Sequence, residues 1–188
     1  MVPACARCQI TQMTPKDANQ ANQANQANEA GYPFTRFLTS MYYRLIYTSK
    51  AAPGVDYERL LADSQRRNAS FGVTGGLAIV DAVFLQYLEG DEAEVEWLFH
   101  KILADDRHHG VKVLERRAVP KRMFETWTMA SLHWCEETRM IFESFSPGIG
   151  LDLYRTDPST AAPLFRAWAA TEHWQAHVRR PVPPSTEN

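Results

Sequence analysis

The chain has 188 residues and a mass of 21.4 kDa, a size that suits one globular domain with extensions better than two full domains. Its net charge of −2 offers neither the basic surface that binds nucleic acid nor a polybasic membrane anchor. No apolar run approaches about 18 residues, and the first residues lack a basic stretch followed by an apolar one, so we expect neither a membrane span nor export.

Three cysteines, Cys5, Cys8 and Cys135, are too few and too unevenly spaced for a disulfide framework. Cys5 and Cys8 have the spacing of half a metal site, but no second Cys or His pair follows at a suitable distance. We therefore expect no metal. This cysteine usage fits the reducing cytoplasm, where we expect the protein to reside.

Both ends of the chain have the composition of tails. The polar repeat ANQANQANQANEA cannot bury enough apolar surface to offset the entropy that ordering costs. Residues 1–40 are therefore expected to be a disordered, low-complexity tail. The Pro-rich end RRPVPPSTEN predicts a flexible tail over residues 177–188.

The elements between the tails begin with a strand over residues 42–48 and a helix that Asp56 caps. The runs GVTGGLAIV and AVFLQYLEG predict two strands joined by a tight hairpin at Asp81. Gly75 and Gly76, inside the first of these two strands, predict a bulge or a place where another group approaches the backbone.

A second amphipathic helix opens at Asp91. Helical spacing gives it an apolar face made of Val95, Leu98, Phe99 and Ile102. On the same helix we expect Trp97 to lie in the core and His100 to lie at the surface.

Two strands and two helices complete the predicted elements. GVKVLERRAV predicts a fourth strand, and TWTMASL predicts a fifth over residues 126–132, with Trp127 and Met129 on one face. Helical patterns then cover residues 135–146 and 160–175.

The order β-α-β-β-α-β predicts an α+β fold, a ferredoxin-like sandwich with a five-stranded mixed sheet and two C-terminal helices. The first two helices cover one face of the sheet, so the last two are placed to cover the other face or to meet a partner. Trp168 and Trp174 fit the apolar stripe of the last helix, as packing or dimer contacts.

Three polar side chains, Tyr47, Asn68 and Gln86, occupy positions where core residues are expected. Strand alternation places Tyr47 on one face with Leu45 and Ser49, and Gln86 on one face with Phe84 and Leu88. Helical spacing places Asn68 on the core-facing stripe of the first helix, which also holds positions 57, 61 and 64. A buried amide or phenol without a partner costs about 1–3 kcal/mol. These side chains must therefore bond one another, the backbone, water or an inserted polar ligand.

A planar aromatic ligand with a hydrogen-bonding edge would satisfy all three side chains together. Carboxamides both donate and accept hydrogen bonds, which suits an edge of alternating C=O and N–H groups. The pyrimidine ring of a flavin has such an edge.

The sequence also resembles the BLUF family, the sensors of blue light using flavin, from about Tyr42 to Leu132. The resemblance is carried, in order, by RLIYTS, DSQRRNASFGVTGGL, VFLQYLEG, DDRHHGVKVL and FETWTMA. It implies a photosensor domain over residues 41–133. The helical patterns that follow predict a helical extension over residues 134–176.

The resemblance also implies the residues of the site. Tyr47 matches the photoactive tyrosine of the family, Gln86 its switching glutamine, and Asn68 the asparagine that bonds the flavin edge. Arg107 and His108 match side chains that contact the cofactor, and Ser49 is expected beside it on the face of Tyr47. Trp127 and Met129 match the pair whose positions respond to light.

The implied function is that of a blue-light photoreceptor, not an enzyme. Photoexcited flavin would draw an electron and a proton from Tyr47 through Gln86, and the rearranged hydrogen bonds would signal through Trp127 and Met129. The expected cofactor is FAD, with FMN or riboflavin as alternatives. The expected partners are a separate signalling protein and a second copy of the chain, and not nucleic acid or membrane.

Three other functions are alternatives to this one. A flavin-free ferredoxin-like interaction module is the main alternative. An RNA-binding domain would need paired aromatic residues on its strands and a positive net charge. A small flavoenzyme would need a further acid–base or nucleophile group beside the flavin edge.

Overall fold

The computed structural model describes residues 41–175. The elements follow along the chain as β1 (Tyr42–Ala51), α1 (Tyr57–Ser70), β2 (Thr74–Val80), β3 (Val83–Gly90), α2 (Glu92–Leu103), β4 (His108–Val119), β5 (Ala130–Leu132), α3 (Glu136–Phe145), a 3₁₀ turn (Leu153–Arg155), α4 (Pro158–Ala169) and β6 (Trp174–Gln175). Residues 1–40 and 176–188 lie outside the described residues, and so do the predicted tails and the Cys5–Cys8 pair. None of the described helices is long and apolar enough to cross a membrane.

The strands form one mixed sheet in the order β4-β1-β3-β2-β5-β6. All neighbouring strands are antiparallel except β2 and β5, which run parallel. The predicted α+β, ferredoxin-like order of elements is confirmed. The sheet has six strands within residues 41–175 and not five, because Trp174 of β6 pairs with Leu132 of β5.

The hairpin between β2 and β3 turns on Asp81 and Ala82, whose φ angles are +47° and +60°. Positive φ at both central residues is the geometry of the type I′ turn, which matches the twist of paired strands. In β2, a Cβ atom at Gly75 would lie 2.1 Å from the carbonyl oxygen of Tyr87. The predicted close approach to this glycine pair is therefore confirmed, and the register of the two strands shows no bulge.

The helix pair α1 and α2 covers one face of the sheet, which we call the helix-pair face. Its core contains the apolar stripe predicted for α2, together with buried residues of β1 and β3. Among its members are Leu45, Tyr47, Leu61, Phe84, Leu88, Val95, Leu98, Phe99, Ile102 and Met129. The period-two expectation for β1 and β3 is thus confirmed, because Tyr47 shares this core with Leu45.

The C-terminal elements cover the opposite face, which we call the extension face. Its core joins strand residues to side chains of α3, α4 and β6; among them are Ile46, Leu85, Tyr87, Phe124, Phe142, Phe165, Trp168 and Trp174. The expectation that the last two helices cover the second face of the sheet is confirmed. Trp168 is fully buried there, and its indole N–H donates to the carbonyl of Thr138 at 3.0 Å.

The predicted fifth strand is too long. β5 holds only Ala130–Leu132, and the segment before it crosses from β4 to the far side of the sheet. Trp127 and Met129 therefore do not share a face. Trp127 packs on the extension-face core, whereas Met129 is buried on the helix-pair face. Strand alternation does not apply to them because both precede the strand.

Three further expectations are wrong. Trp97 is 43% exposed and Tyr57 is 39% exposed, although both were expected in the core. The last helix ends at Ala169, so Trp174 belongs to β6. His100 is exposed as expected. Trp97 stays near the surface because the core face of α2 is already filled by its four aliphatic and aromatic neighbours.

Candidate functional site

Tyr47 and Gln86 lie opposite each other in the pairing of β1 with β3. Both side chains are buried, and the Tyr47 hydroxyl donates a hydrogen bond to Oε1 of Gln86. Burial raises the pKa of Tyr47, and the negative charge of Asp105 raises it further. The phenol is therefore neutral and remains a hydrogen-bond donor at neutral pH.

The amide nitrogen of Gln86 has a much weaker partner than its oxygen. Nε2 faces the thioether sulfur of Met129 at 3.7 Å. Because a thioether accepts hydrogen bonds only weakly, the N–H groups of Gln86 keep donor capacity that a better acceptor could use. Gln86 thus has one well-made bond, to Tyr47, and one weak contact, to Met129.

Two amides of α1 hold the segment that precedes β5. Nδ2 of Asn68 donates to the carbonyl of Thr128 at 2.6 Å, and Nε2 of Gln65 donates to the carbonyl of Met129 at 3.1 Å. Both side chains are buried. Sequence reasoning missed Gln65, although it lies one helical turn from Asn68 and at spacing i+4 from Leu61, which is the spacing of a shared face.

Several polar atoms around this segment retain unused hydrogen-bonding capacity. Asn68 and Gln65 make these bonds through their amide nitrogens, which leaves their amide oxygens as acceptors. The hydroxyl of Thr128 is buried and has no partner within residues 41–175. A buried polar atom without a partner is costly, so the Thr128 hydroxyl favours a polar group that is added to the protein.

Ser49 and His108 form a second polar contact on the same side of the sheet. The Ser49 hydroxyl lies 3.1 Å from Nδ1 of His108, and the imidazole packs against Phe84 with 4.8 Å between ring centroids. Burial lowers the pKa of His108, which is therefore neutral at neutral pH.

Arg107 bridges the end of α2 to α1. Its guanidinium bonds the Asp105 carboxylate at 2.6 Å and the Asp63 carboxylate at 3.1 Å. The hydrogen bonds from Arg107 hold the pKa of Asp105 at about 2. Arg107 is thus paired within the chain, and it stands beside His108 at the entrance to β4.

An open cleft of about 1080 Å³ lies between α1 and α2, and Arg107, Asp105 and Asp63 are in its wall. The lining does not include Tyr47, Asn68 or Gln86. The cleft and the buried polar cluster are therefore neighbouring features. They are connected through Asp105, which lines the cleft and acts on the pKa of Tyr47.

The buried polar groups fit a flavin edge, but fewer of their atoms are available to it than the sequence indicated. Tyr47 and Asn68 already have partners in the chain, so their burial by itself does not require a ligand. The capacity that remains is the N–H of Gln86, the amide oxygens of Asn68 and Gln65, and the hydroxyl of Thr128. This mixture of donors and acceptors matches an edge of alternating carbonyl and N–H groups.

Glu89, which sequence reasoning also missed, anchors the segment that leads to Trp127. Its buried carboxylate accepts bonds from the hydroxyls of Thr74 and Tyr87 and from the backbone N–H groups of Met123 and Phe124. Burial raises its pKa, and the two backbone N–H groups oppose that rise. A carboxylate inside the apolar run FLQYLEG was the signal that could have revealed it.

Comparison with known proteins gives a consistent result for the first part of the described chain. The sequence profile described as BLUF, sensors of blue-light using FAD, matches residues 42–130. The beta subunit of photoactivated adenylate cyclase of Euglena gracilis is 36% identical over 95 residues, which are 48% of this chain and 11% of that protein. The blue light- and temperature-regulated antirepressor BluF of Escherichia coli K12 is 32% identical over 87 residues, which are 46% of this chain and 21% of that protein.

Solved structures agree with the fold. BlrB, a BLUF protein in its dark state, matches with a TM-score of 0.57 and 28% identity over 69% of this chain and 96% of that one. BlsA in its photo-activated state matches with a TM-score of 0.64 over 71% of this chain and 98% of that one, and its 23% identity supports the fold alone. The family profile covers the strands that carry Tyr47 and Gln86, and residues 42–130 of this chain match the family described as sensors of blue-light using FAD.

Proposed function

We propose that this chain is a blue-light photoreceptor in which Tyr47 is the electron and proton donor and Gln86 is the relay to a bound flavin. The single observation that supports this most is the buried hydrogen bond from Tyr47 to Gln86 inside a domain of this family. The rest of the proposal follows from the chemistry of these two side chains and their neighbours.

In this proposal the flavin contacts Asn68 and Gln86 at its polar edge, with Tyr47 and Ser49 beside it and Arg107 and His108 at the turn into β4. FAD is the proposed cofactor because the family description names it, and FMN and riboflavin are the alternatives. The unused hydrogen-bonding capacity around Thr128 supports this placement.

When bound, a flavin supplies the absorption of blue light and an excited state that accepts an electron. Tyr47 is neutral and buried, so loss of an electron from its phenol must be accompanied by loss of its proton. Oε1 of Gln86 already accepts the hydrogen bond from that hydroxyl, which gives the proton a path. After the transfer the amide is left rotated, tautomerised or both, and the thioether contact at Nε2 opposes a rotation only weakly.

The proposed signal leaves the site through Met129 and Trp127. Met129 contacts the amide of Gln86, so a changed amide alters the surroundings of its sulfur. Trp127, two residues earlier, lies on the extension face with 6.4 Å between its ring centroid and that of Trp174. The segment between them therefore reaches both cores of the protein.

The rest of the assignment is also a proposal. Residues 41–133 act as the photosensor and residues 134–176 as the helical extension, without catalytic turnover of their own. The output passes to a separate signalling protein, or to a second copy of the chain, in the cytoplasm. The adenylate cyclase activity in the name of the Euglena relative belongs to that protein, of which this chain covers 11%.

The experiment is a comparison of colour and photocycle. Purified protein should be yellow, and blue light should shift its absorption reversibly to the red. Tyr47→Phe and Gln86→Leu should each retain the flavin and abolish the shift, because they remove the donor hydroxyl and the relay amide. Tyr43→Phe is the matched control, since that hydroxyl bonds Glu96 at 2.6 Å and lies away from Gln86.

A normal photocycle in Tyr47→Phe would show that the donor is another residue. The same variants test the signalling output. The proteins that bind to the full chain in blue light are compared with those that bind to it in darkness. If partner binding depends on light as strongly in Gln86→Leu as in the wild type, the signalling output does not depend on this site.

A flavin-free interaction module is the second candidate function. The observation that favours it is that Tyr47 and Asn68 are already hydrogen-bonded within the chain. Protein that stays colourless and binds no flavin when supplied with FAD, FMN and riboflavin would establish this alternative.

A further inference from the structure

β4 contains a bulge at the point where it passes Ser49 of β1. Thr48 pairs with Lys112, and Lys50 pairs with His109. Between these two pairs, one residue of β1 therefore faces two residues of β4. Two residues opposite one define a β-bulge, which bends its strand and changes the direction of the side chains beyond it.

Gly110, one of the two residues in the bulge, has a φ of +61°. Glycine adopts this left-handed conformation without strain, and it is the conformation that defines a G1 bulge. Because side chains alternate along a strand, an extra residue reverses the alternation that follows. A β4 without the bulge would turn His109 toward the helix-pair face and His108 away from it. The bulge at Gly110 therefore decides which of the two histidines faces the candidate site.

The contacts of the two histidines agree with this alternation. Nδ1 of His108 lies 3.1 Å from the Ser49 hydroxyl, and the imidazole packs against Phe84 of the helix-pair core. His109 is exposed and lines a small cleft together with Tyr154 of the 3₁₀ turn, which belongs to the C-terminal elements. The adjacent histidines thus point to opposite sides of the sheet.

Tyr154 reaches the bulge from the extension side. Its hydroxyl donates a hydrogen bond to the carbonyl of Gly110 at 2.9 Å. A Cβ atom at Gly110 would lie 3.3 Å from the same hydroxyl oxygen, so the phenol fits closely against a glycine. The ammonium of Lys50, on the neighbouring strand, lies 4.7 Å from the centroid of the Tyr154 ring. Tyr154 therefore contacts both strands at the bulge.

The turn that carries Tyr154 is itself fixed to the sheet. Leu153 is fully buried, and its carbonyl accepts a hydrogen bond from the hydroxyl of Thr48 at 3.4 Å. The Asp152 carboxylate caps the turn by accepting from the backbone N–H of Tyr154 at 3.0 Å. Because the turn is held in place, the bond from its phenol to Gly110 can hold the bulge in place as well.

We propose that Tyr154 is a positioning residue of the candidate site: it holds the bulge at Gly110, and the bulge directs His108 toward the helix-pair face. Tyr154 lies outside residues 42–130, which match the family profile, so this role belongs to the C-terminal extension of this chain. The inference rests on the proposed function, because the flavin is the group that His108 is positioned to meet.

The first test measures hydrogen exchange by NMR at the backbone amide of Ala52. This amide donates to the carbonyl of Arg107 at 3.0 Å, so its exchange reports opening at the start of β4. Tyr154→Phe removes the hydroxyl and keeps the aromatic ring. The Ala52 amide of the full chain should then exchange about fivefold faster, which is the effect of losing one hydrogen bond. Tyr43→Phe, which removes a hydroxyl bond to Glu96 elsewhere on β1, should leave the exchange at the wild-type rate.

A second variant tests whether Tyr154 acts through the bulge. Gly110→Ala should make the same amide exchange about tenfold faster, because alanine is strained at this φ and its Cβ would approach the phenol. When Gly110→Ala is combined with Tyr154→Phe, the oxygen that the Cβ approaches is gone. The combined effect should therefore be smaller than the product of the two single effects. An effect equal to that product would show that the two residues act independently and would overturn the proposal.

The third test shows which histidine the phenol positions, with the rate of dark recovery of the flavin-loaded full chain as the readout. Tyr154→Phe should change this rate. In a His108→Gln background it should have no further effect, because the side chain that it positions is absent. In a His109→Gln background, which is the matched control, the effect of Tyr154→Phe should persist.

An Ala52 exchange rate that Tyr154→Phe leaves unchanged would overturn the proposal. An effect of Tyr154→Phe on dark recovery that persists in the His108→Gln background would overturn it too. If the wild type binds no flavin, the proposed function fails instead, and the exchange rates alone still decide whether Tyr154 holds the bulge.

Discussion

Tyr47, Gln86 and Met129 form a chain of contacts in which each link is weaker than the one before it. The phenol makes a full hydrogen bond to the amide oxygen, and the amide nitrogen makes only a thioether contact. Turning the amide therefore breaks one full hydrogen bond, the one from Tyr47, and only one weak contact. This asymmetry is the physical property that a hydrogen-bond switch requires.

His108 provides a prediction about pH. Burial lowers its pKa, with Asp105 and Arg107 acting in opposite directions, so the folded protein keeps the imidazole neutral where an unfolded histidine, with a pKa of about 6.5, takes up a proton. The unfolded chain then binds more protons, and the free energy of unfolding should fall as the pH decreases below about 6.5. His108→Gln should remove that part of the dependence.

The measurement is urea unfolding of wild type and variant from about pH 5 to about pH 7.5. His109→Gln, a change in the exposed neighbouring residue, is the control and should keep the wild-type dependence. A His108→Gln profile that is parallel to the wild-type profile would show that another group causes the loss of stability.

The crossover from β4 to β5, residues 120–129, is the element that connects the two faces of the sheet. Phe124 packs in the extension-face core, 5.3 Å from the ring of Tyr87, and Met129 ends in the core of the helix-pair face. Glu89 holds the start of this crossover, and Asn68 and Gln65 hold its end. A segment fixed at both ends by buried polar side chains has a defined position without regular secondary structure.

Glu89→Gln should loosen this crossover. An amide NH₂ would face donors that now meet a carboxylate, so the free energy of unfolding should fall by about 1–3 kcal/mol. If the crossover positions Met129 against Gln86, the rate of dark recovery should change as well. Denaturant titration and recovery kinetics measure the two effects.

Glu125→Gln, an exposed change in the same crossover, is the matched control for both measurements. A Glu89→Gln protein with wild-type stability would contradict the anchoring role. If Glu89→Gln loses stability but keeps the wild-type rate of dark recovery, Glu89 anchors the crossover for folding alone.

The whole described molecule has one sheet between two cores, and the C-terminal elements belong to the fold. Leu153 accepts a hydrogen bond from Thr48 of β1 at 3.4 Å through its carbonyl, and α3 and α4 cover Ile46, Leu85 and Tyr87. Removing residues 135–188 would expose this apolar face. Point variants are therefore a cleaner test of signalling than deletion of the extension.

Trp168→Ala should destabilise the protein as a unit. The indole is fully buried, stacks on Phe142 with 6.2 Å between ring centroids and donates to Thr138, so its removal should lower the free energy of unfolding by about 3–5 kcal/mol. Unfolding followed by far-UV circular dichroism should still show one transition. Two separated transitions would show that the extension unfolds independently of the sheet.

Trp97→Ala is the control of matched chemistry for this prediction. Its indole is 43% exposed, so the same substitution leaves a smaller cavity and should cost much less stability than Trp168→Ala.

Residue patterns within single elements determined much of the fold and of the candidate site. The alternation in β1 and β3 placed Tyr47 and Gln86 on one face, the stripe of α2 named its buried residues, and quoted motifs identified the family. These conclusions depend on neighbours within a few residues of each other along the chain. Such spacings are fixed by backbone geometry, so they can be read from the sequence.

The tertiary structure alone decided the features that join distant parts of the chain. Glu89 finds its donors 34 and 35 residues away, in the crossover, and Gln65 finds the Met129 carbonyl 64 residues away. Trp127 and Met129 separate to opposite faces because they precede β5 and follow the path of the crossover. Each of these contacts depends on how the sheet is ordered, which periodicity within one element does not specify.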